Sequence, residues 1–407
     1  MEKQKCPEIR FSGFDGKWIQ RNWRDTVEIS TNMVDPRSNE YGELFHIGPG
    51  NIKSFSGQFY DNVLKVKDSN LISGKFYFRK GDIIYGKINP QLAKYVIAPF
   101  EGLASADAYV LNTKNGVVQN YLYAILQTND FYKYTVSVSS RTGMPKINRD
   151  ELNIYNYFSP SEAEQTLIGE FFQNLDQSIT LHEKKLAQTQ NFKKAMLEKM
   201  FPKQGSQRPE IRLKGFSDDW EERQLKDISF KVIEKNSERL YTETFTNSAQ
   251  FGVISQRDFF DKDISNTSNI GGYYVVKDND FIYNPRISNF APVGPVKRNK
   301  LGRTGVVSPL YFVFRTHDVD HKFLEVYFET SVWHKFMFLN GDTGARSDRL
   351  AIKDTIFMEM PIYSPSFEEQ QKVGQFFKQL DDAINLQKQQ LQTVKNLKQA
   401  LLEKMFV

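Results

Sequence analysis

The chain has 407 residues, too long for one domain of ordinary size, and its 40% hydrophobic content supports packed cores and excludes wholesale disorder. The net charge of +5 permits a polyanionic partner without requiring one. Cys6 is the sole cysteine, so we expect no disulfide within the chain. No run of residues resembles a signal peptide or approaches the ~18 apolar residues of a membrane span. We therefore expect a cytoplasmic protein.

Residues 1–158 predict a first domain, in which residues 14–158 mix strands and helices. The segments 75–88 and 105–113 are rich in aromatic and β-branched residues and have turn residues beside them, as strands require. A helical stretch follows at 119–134, and after it comes a polar, glycine-containing loop with basic residues at 139–146. This combination indicates the α+β class.

The segment 159–203 predicts one long helix. Ser161 and Glu164 have the spacing of a capping box just after Pro160. Apolar residues then alternate in steps of four and three, the 3.5-residue period of a coiled-coil seam. The predicted seam contains Ile168, Phe172, Leu175, Ile179 and Leu186, with a polar layer at His182.

Residues 204–362 repeat this pattern in a second domain. Predicted strands lie at 272–283 and 308–316, a helical stretch at 323–338, and a basic polar loop at 341–349. Residues 363–407 predict a second long helix, again with a capping-box spacing. Its seam contains Val373, Phe377, Leu380, Ile384 and Leu391, with a polar layer at Gln387.

The two halves are an internal repeat. Pro7-Glu8-Ile9-Arg10 returns as Pro209-Glu210-Ile211-Arg212, and residues 197–201 return letter for letter at 402–406. Between such anchors the strands recur, but the loops differ in length and content, as recognition loops do.

A helix of about 40 residues, ~60 Å long, cannot leave an apolar seam in water, so each helix needs a partner. We predict that the two helices pair as an antiparallel coiled coil with pseudo-twofold symmetry. The alternative is that each helix packs onto its own domain.

Basic and amide side chains on the loops are the candidates for contact with DNA. Arginine can donate two hydrogen bonds to one guanine edge, and lysine holds phosphates. A solvated surface charge remains the alternative for any one of them. The candidates are Lys87, Asn89, Lys94, Arg141 and Lys146 in the first domain, and Arg286, Asn289, Arg298, Arg303, Arg346 and Arg349 in the second.

Signatures of catalysis are weak. Residues 81–88 approach a phosphate-binding loop, but Ile88 replaces the hydroxyl that would hold magnesium, and residues 82–85 predict a strand. His317 and His321 have the spacing of metal ligands on a helix, but no third ligand stands nearby. We therefore predict no catalytic residue, metal or cofactor in this chain.

The repeated helix start and the two variable domains resemble the specificity subunit of a type I restriction-modification system. The resemblance covers the whole chain and is carried by the motif Pro160-Ser161…Glu164-Gln165…Phe171-Phe172…Leu175-Asp176 and by its twin at 365–381. The opening Pro-Glu-Ile-Arg-Phe and the strand Tyr283-Asn284-Pro285-Arg286 also resemble family members.

That resemblance implies two target recognition domains, each reading half of a split DNA site, on a helical ruler that fixes the gap. It also implies docking of two modification subunits, which methylate adenine with S-adenosylmethionine, and of restriction subunits that use ATP and Mg²⁺. Two other classes stay open: a stand-alone DNA-modifying enzyme and a coiled-coil scaffold that binds proteins.

Overall fold

A computed structural model describes residues 6–139, 143–203, 205–259, 270–343 and 347–407. The chain forms two compact units. The first contains residues 1–185 together with 387–407, and the second contains residues 186–386. Both mix helices with sheets, so the predicted α+β class is confirmed.

The first unit is built on a four-stranded antiparallel sheet, formed in spatial order by Val27–Ile29, Ala108–Thr113, Ile83–Gly86 and Tyr95–Ile97. A five-stranded sheet is formed in spatial order by Met33–Val34, Lys75–Phe78, Gly102–Ala104, Phe45–Ile47 and Leu64–Lys65. The strand Ile19–Asn22 pairs with Asn156–Ser159. The elements in chain order are β1 (Ile19–Asn22), α1 (Trp23–Thr26), β2 (Val27–Ile29), β3 (Met33–Val34), β4 (Phe45–Ile47), β5 (Leu64–Lys65), β6 (Lys75–Phe78), β7 (Ile83–Gly86), β8 (Tyr95–Ile97), β9 (Gly102–Ala104), β10 (Ala108–Thr113), α2 (Gln119–Ile125), α3 (Asn129–Ser139), α4 (Arg149–Asn153), β11 (Asn156–Ser159) and α5 (Glu162–Lys199).

The second unit repeats the four-stranded sheet, in the spatial order Ser229–Lys231, Phe312–Thr316, Phe281–Tyr283 and Val296–Arg298, and it repeats the flanking pair as Glu221–Gln224 with Pro361–Ser364. It departs from the first unit in the remaining strands, which form two separate pairs, Phe245–Ser248 with Gly252–Ser255 and Tyr274–Val276 with Gly305–Val307. Its elements are β12 (Glu221–Gln224), β13 (Ser229–Lys231), β14 (Phe245–Ser248), β15 (Gly252–Ser255), α6 (Gln256–Phe259), β16 (Tyr274–Val276), β17 (Phe281–Tyr283), β18 (Val296–Arg298), β19 (Gly305–Val307), β20 (Phe312–Thr316), α7 (His321–Tyr327), α8 (His334–Asn340), α9 (Asp354–Met358), β21 (Pro361–Ser364) and α10 (Phe367–Lys404).

Each predicted strand at 75–88 and 272–283 is two strands separated by a tight turn. Gly81 and Asn279 adopt positive φ angles of 94° and 68°, which turn the chain between the strands. The following aspartate of each repeat fixes the turn, since Asp82 and Asp280 accept the backbone N–H three residues earlier at 2.8 Å. The strands after the turns, β7 and β17, are wholly buried at the centre of their sheets.

The two long helices contain 38 residues each, which corresponds to about 57 Å. Ser161 and Ser366 cap them as predicted, each hydroxyl accepting from the N–H of Glu164 or Glu369 at 3.4 Å. The glutamates have a different role from the one that the capping box predicts. Glu164 is completely buried and binds Arg10 through two bonds of 2.6 Å, and Glu369 binds Arg212 in the same way.

Within each unit, two helix segments run antiparallel. In the first unit Phe172 lies 5.8 Å from Phe406 between ring centroids, and Glu183, further along α5, binds Lys395, earlier in α10. In the second unit Phe377 packs on Phe201 and Asp381 binds Lys193. The first half of each helix therefore packs in its own domain's unit, as the alternative proposed, while the second half packs in the other unit.

The predicted seam positions are all buried or half-buried. The polar layers are also enclosed: His182 is half-buried, and Gln387 is buried with an Oε1 atom that finds no hydrogen-bond partner among the described residues. The unpaired Oε1 of Gln387 therefore lowers the stability of the seam, as a polar residue that sets the register of a coiled coil does.

The letter-for-letter repeat at 197–201 and 402–406 closes the two cores. Phe406 lies within 6.3 Å of the Trp18, Tyr121 and Phe172 rings, and Phe201 lies within 6.2 Å of the equivalent Trp220, Phe323 and Phe377 rings. Backbone bonds reinforce both closures, from Ile9 N–H to the Lys404 carbonyl (3.0 Å) and from Ile211 N–H to the Lys199 carbonyl (2.9 Å). The end of each long helix is thus a core element of the unit that holds the other domain.

Candidate nucleic-acid interface

In the first unit, the segment after β7 is joined to the end of the basic polar loop. The Ile147 N–H donates to the Lys87 carbonyl (2.9 Å), and the Asn89 N–H donates to the Pro145 carbonyl (2.8 Å). This short ladder brings together three of the predicted residues, Lys87, Asn89 and Lys146. Asn89 takes the left-handed conformation with φ of 50°, which asparagine tolerates better than most residues.

Tyr109 on β10 anchors a set of cations at this ladder. The Lys87 Nζ lies 5.6 Å from the Tyr109 ring centroid, and the Arg149 guanidinium carbon lies 5.9 Å from it. Arg149 is held in place because it donates to the carbonyls of Ile29 and Ser30. Lys87, Lys146 and Arg149 together are called the first basic cluster below. Sequence reasoning missed Arg149 and Tyr109, although the arginine lies only three positions beyond the predicted loop.

The first basic cluster has three cations, and the carboxylates of Asp107 and Asp150 act on it and on Tyr109. Burial, and then the neighbouring charge of Lys146, lowers the pKa of Lys87. Asp107 counters this effect from nearby, but Lys87 and Lys146 make no direct ion pair with a carboxylate among the described residues. An incoming phosphate would therefore stabilise the cluster.

The second unit builds the same ladder with other side chains. The Leu350 N–H donates to the Pro285 carbonyl (2.8 Å), and the Ile287 N–H donates to the Asp348 carbonyl (3.0 Å). Arg286 and Arg349 are paired across this ladder, and they are called the second basic cluster below. Arg286 is exposed, and its guanidinium lies 3.7 Å from Asp348.

Arg349 lies beside a cavity of about 320 Å³ with aromatic walls that include Tyr283 and Phe312. Its Nε is buried and has no hydrogen-bond partner among the residues that the structure describes. The equivalent space of the first unit differs because Arg149 lies there against the Tyr109 ring, whereas the second repeat has Ile352 at that position. The two clusters thus share a backbone but not a binding surface.

The remaining predicted residues have varied environments. Lys94 donates to the Pro49 carbonyl at 2.5 Å and is half-buried. Arg298 binds Glu325 and Asn279, and Arg303 binds Glu243 through two bonds, so both have internal partners. Asn289 is exposed in the loop between β17 and β18. Arg141 and Arg346 lie outside the described residues.

Exposed apolar side chains accompany both clusters. Met144 is 68% exposed next to the first ladder, and Phe290 is 71% exposed in the loop that carries Arg286 and Asn289. Sequence reasoning missed both, because a single apolar residue in a polar loop gives no periodic signal. Such side chains can contact thymine methyl groups or insert between base steps.

The described residues contain no group of three or more His, Cys, Asp or Glu side chains that could hold a metal ion. His317 lies in the turn before α7 and contacts Asp318 at 2.9 Å, whereas His321 begins that helix. Of the helices that the structure describes, none is both long and apolar enough to span a bilayer.

The sequence model of the family described as "Type I restriction modification DNA specificity domain" matches residues 38–191 and 217–396, and so both halves of the repeat. The chain belongs to this family. Its two matched regions each contain one of the basic clusters and most of one long helix.

Two relatives named as type I restriction enzyme specificity subunits are similar in sequence to this chain. The chain is 30% identical over 209 residues to the type I restriction enzyme EcoDI specificity subunit of Escherichia coli, a match covering 49% of this chain and 46% of that protein. It is 22% identical to the putative MjaX specificity subunit of Methanocaldococcus jannaschii, over 95% of this chain and 92% of that one. The chain thus aligns with less than half of the E. coli subunit and nearly all of the archaeal one.

Solved structures share the fold. The type I restriction-modification S subunit from M. genitalium superposes with a TM-score of 0.60 at 11% identity, and 99% of each chain is covered. A chain from a study of complex assembly and conformational transition in the type I system gives 0.53 at 16% identity, covering 95% of this chain and 97% of that one.

Proposed function

We propose that this chain is the DNA-recognition subunit of a type I restriction-modification complex and reads a two-part DNA target, one half with each recognition domain. Residues 1–158 and 204–362 are the recognition domains, and residues 159–203 and 363–407 are the spacer helices. The observation that carries the proposal is the twin ladder, in which one backbone arrangement presents two different basic clusters.

Different side chains on one framework are what a bipartite reader requires. Cations hold the phosphates without regard to sequence, and side chains that differ between the domains read the base edges. Lys87 and Lys146 suit the first task. Arg286, Asn289 and Phe290, which lie on one exposed loop, suit the second.

The chemistry belongs to partner chains in this proposal. Two modification subunits methylate adenine with S-adenosylmethionine, and restriction subunits use ATP and Mg²⁺ to translocate and cut DNA. This chain acts in the cytoplasm as the non-catalytic subunit that selects the site. Linking two weak readers by a stiff helical spacer raises the affinity for correctly spaced half-sites.

The test is DNA binding by the complex reconstituted with its modification subunits. The double variant Lys87→Ala with Lys146→Ala should lower the slope of log affinity against log salt by about 2, because each phosphate contact contributes about one unit. The control is Lys114→Ala, since Lys114 is exposed beyond the far end of β10, roughly 17 Å along the strand from Tyr109. A slope equal to that of the control would overturn the assignment of the first basic cluster.

The purified chain alone and the reconstituted complex together separate the two rival functions. A stand-alone enzyme would methylate or cut DNA without partner subunits. A protein scaffold would show no salt-dependent preference for one DNA sequence. Either result would contradict the proposal.

A further inference from the structure

A lysine lies in the apolar seam of the helix pair in the first unit. Lys398 occupies the seam position that follows Leu391 and Val394, and it is only 9% exposed. Its ammonium group binds the Asp176 carboxylate of α5 and the Gln127 side-chain carbonyl, which follows α2. One buried charge therefore joins both helices and the globular part.

The second unit repeats this junction at the equivalent residues. Lys193 binds Asp381 of α10 at 2.6 Å and Glu329, which follows α7, at 2.8 Å. Burial opposes the charge, but Glu329 and Asp381 together raise the pKa of Lys193. Lys193 corresponds to Lys398, Asp176 to Asp381 and Gln127 to Glu329 in the internal repeat. The same lysine–carboxylate junction therefore occurs in both units, although the loops of the two domains differ in sequence.

A buried lysine in a seam reduces stability unless it is paired. Helix arrangements that leave the lysine unpaired are therefore disfavoured relative to those that give it a carboxylate. In the antiparallel arrangement of each unit, the lysine meets an aspartate. In a parallel, in-register arrangement the two lysines would face each other across the seam, because equivalent seam positions then oppose one another. A shift of one heptad would move either lysine about 10 Å from its carboxylate.

We propose that Lys193 and Lys398 are positioning residues that select the antiparallel pairing and its register and fix each recognition domain on the helix pair. They thereby set the gap between the two DNA half-sites. This inference rests on the proposed function, because the gap has a meaning only for a bipartite target. Because Lys398 also binds Gln127 and Lys193 also binds Glu329, each lysine fixes the position of the helix pair relative to the globular part of its own unit.

The experiment compares methylated motifs in cells that express the complex with the unaltered chain, with Lys398→Met, and with the exchange Asp176→Lys plus Lys398→Asp. Lys395→Met is the matched control, because Lys395 lies one turn away on the same helix and pairs with Glu183 while 43% exposed. The readout is the ratio of methylation at gaps one base pair longer or shorter to methylation at the native gap.

Lys398→Met should raise that ratio about tenfold, and the exchange should return it most of the way, since a paired charge is restored. A purely structural role would lower methylation at every gap equally and leave the ratio unchanged, which would overturn the inference. A folded exchange variant that keeps the relaxed ratio would overturn it too. If the unaltered chain yields no bipartite motif at all, the proposed function itself fails, and that outcome is distinguishable from both.

Discussion

The closure of each core by the other domain's helix makes a specific prediction: Phe406→Ala, one residue from the C-terminus, should loosen the N-terminal recognition domain. The Phe406 ring contacts three aromatic rings of the first unit at 5.5 to 6.3 Å between centroids. Removing a buried phenylalanine costs about 3–5 kcal/mol, and because Phe406 is only half-buried we expect about 2–3 kcal/mol.

Hydrogen exchange followed by mass spectrometry measures this effect region by region. Protection should fall in peptides that cover Trp18 and Tyr121, and remain unchanged in peptides from the second unit. The mirror variant Phe201→Ala, at a residue only 1% exposed, should do the reverse and lower protection around Trp220 and Phe323. If Phe406→Ala instead loosened the second recognition domain, which precedes it in sequence, the account of the closure would be refuted.

Three further predictions concern the buried charges and the spacer. Arg10→Ala should destabilise the chain by about 3–5 kcal/mol in urea unfolding, because it leaves the buried Glu164 carboxylate unpaired. The double variant Arg10→Met with Glu164→Met should regain most of this loss. Equal losses in the two variants would contradict the assignment of a buried ion pair. Arg298→Met should lower stability but leave the salt slope of DNA binding unchanged, since Arg298 binds Glu325 internally, and a lower slope would show that it contacts phosphate. Inserting four residues into α5, about one turn or ~6 Å, should change the gap of the methylated motif while both half-sites persist; altered half-sites with the old gap would contradict the spacer role.

The sequence predicted the framework well where a periodic or repeated signal existed. The 3.5-residue seam defined both long helices, and the antiparallel direction holds within each unit. The strands at 75–88 and 272–283 were predicted as single elements because their turns consist of only a few polar residues. Gly81 and Asn279, each followed by an aspartate, are residue types that favour turns, but this short signal was overlooked between two stretches rich in aromatic and β-branched residues.

The role of the repeated helix ends could not be read from the sequence. The identity of residues 197–201 and 402–406 signals a shared constraint, but only the fold shows that each end fills the core around Trp220 or Trp18. The seam lysines were missed for a related reason, since a lysine at an apolar position interrupts the hydrophobic pattern that identifies a seam.

The basic clusters were predicted only in part. Glycine and basic residues in the loops pointed to 139–146 and 341–349, and the ladders join those loops to Lys87 and Arg286. Sequence alone does not separate Arg286 from Arg298, because a carboxylate partner such as Glu325 comes from a distant part of the chain.

Methylome sequencing of cells with and without the gene tests the central claim most directly. We expect an adenine-methylated motif that depends on this chain and consists of two specific half-sites separated by a fixed, non-specific gap. Substitution of Arg286 should alter one half-site only. A contiguous motif, or the absence of any methylated motif that depends on the chain when its modification subunits are present, would contradict the account.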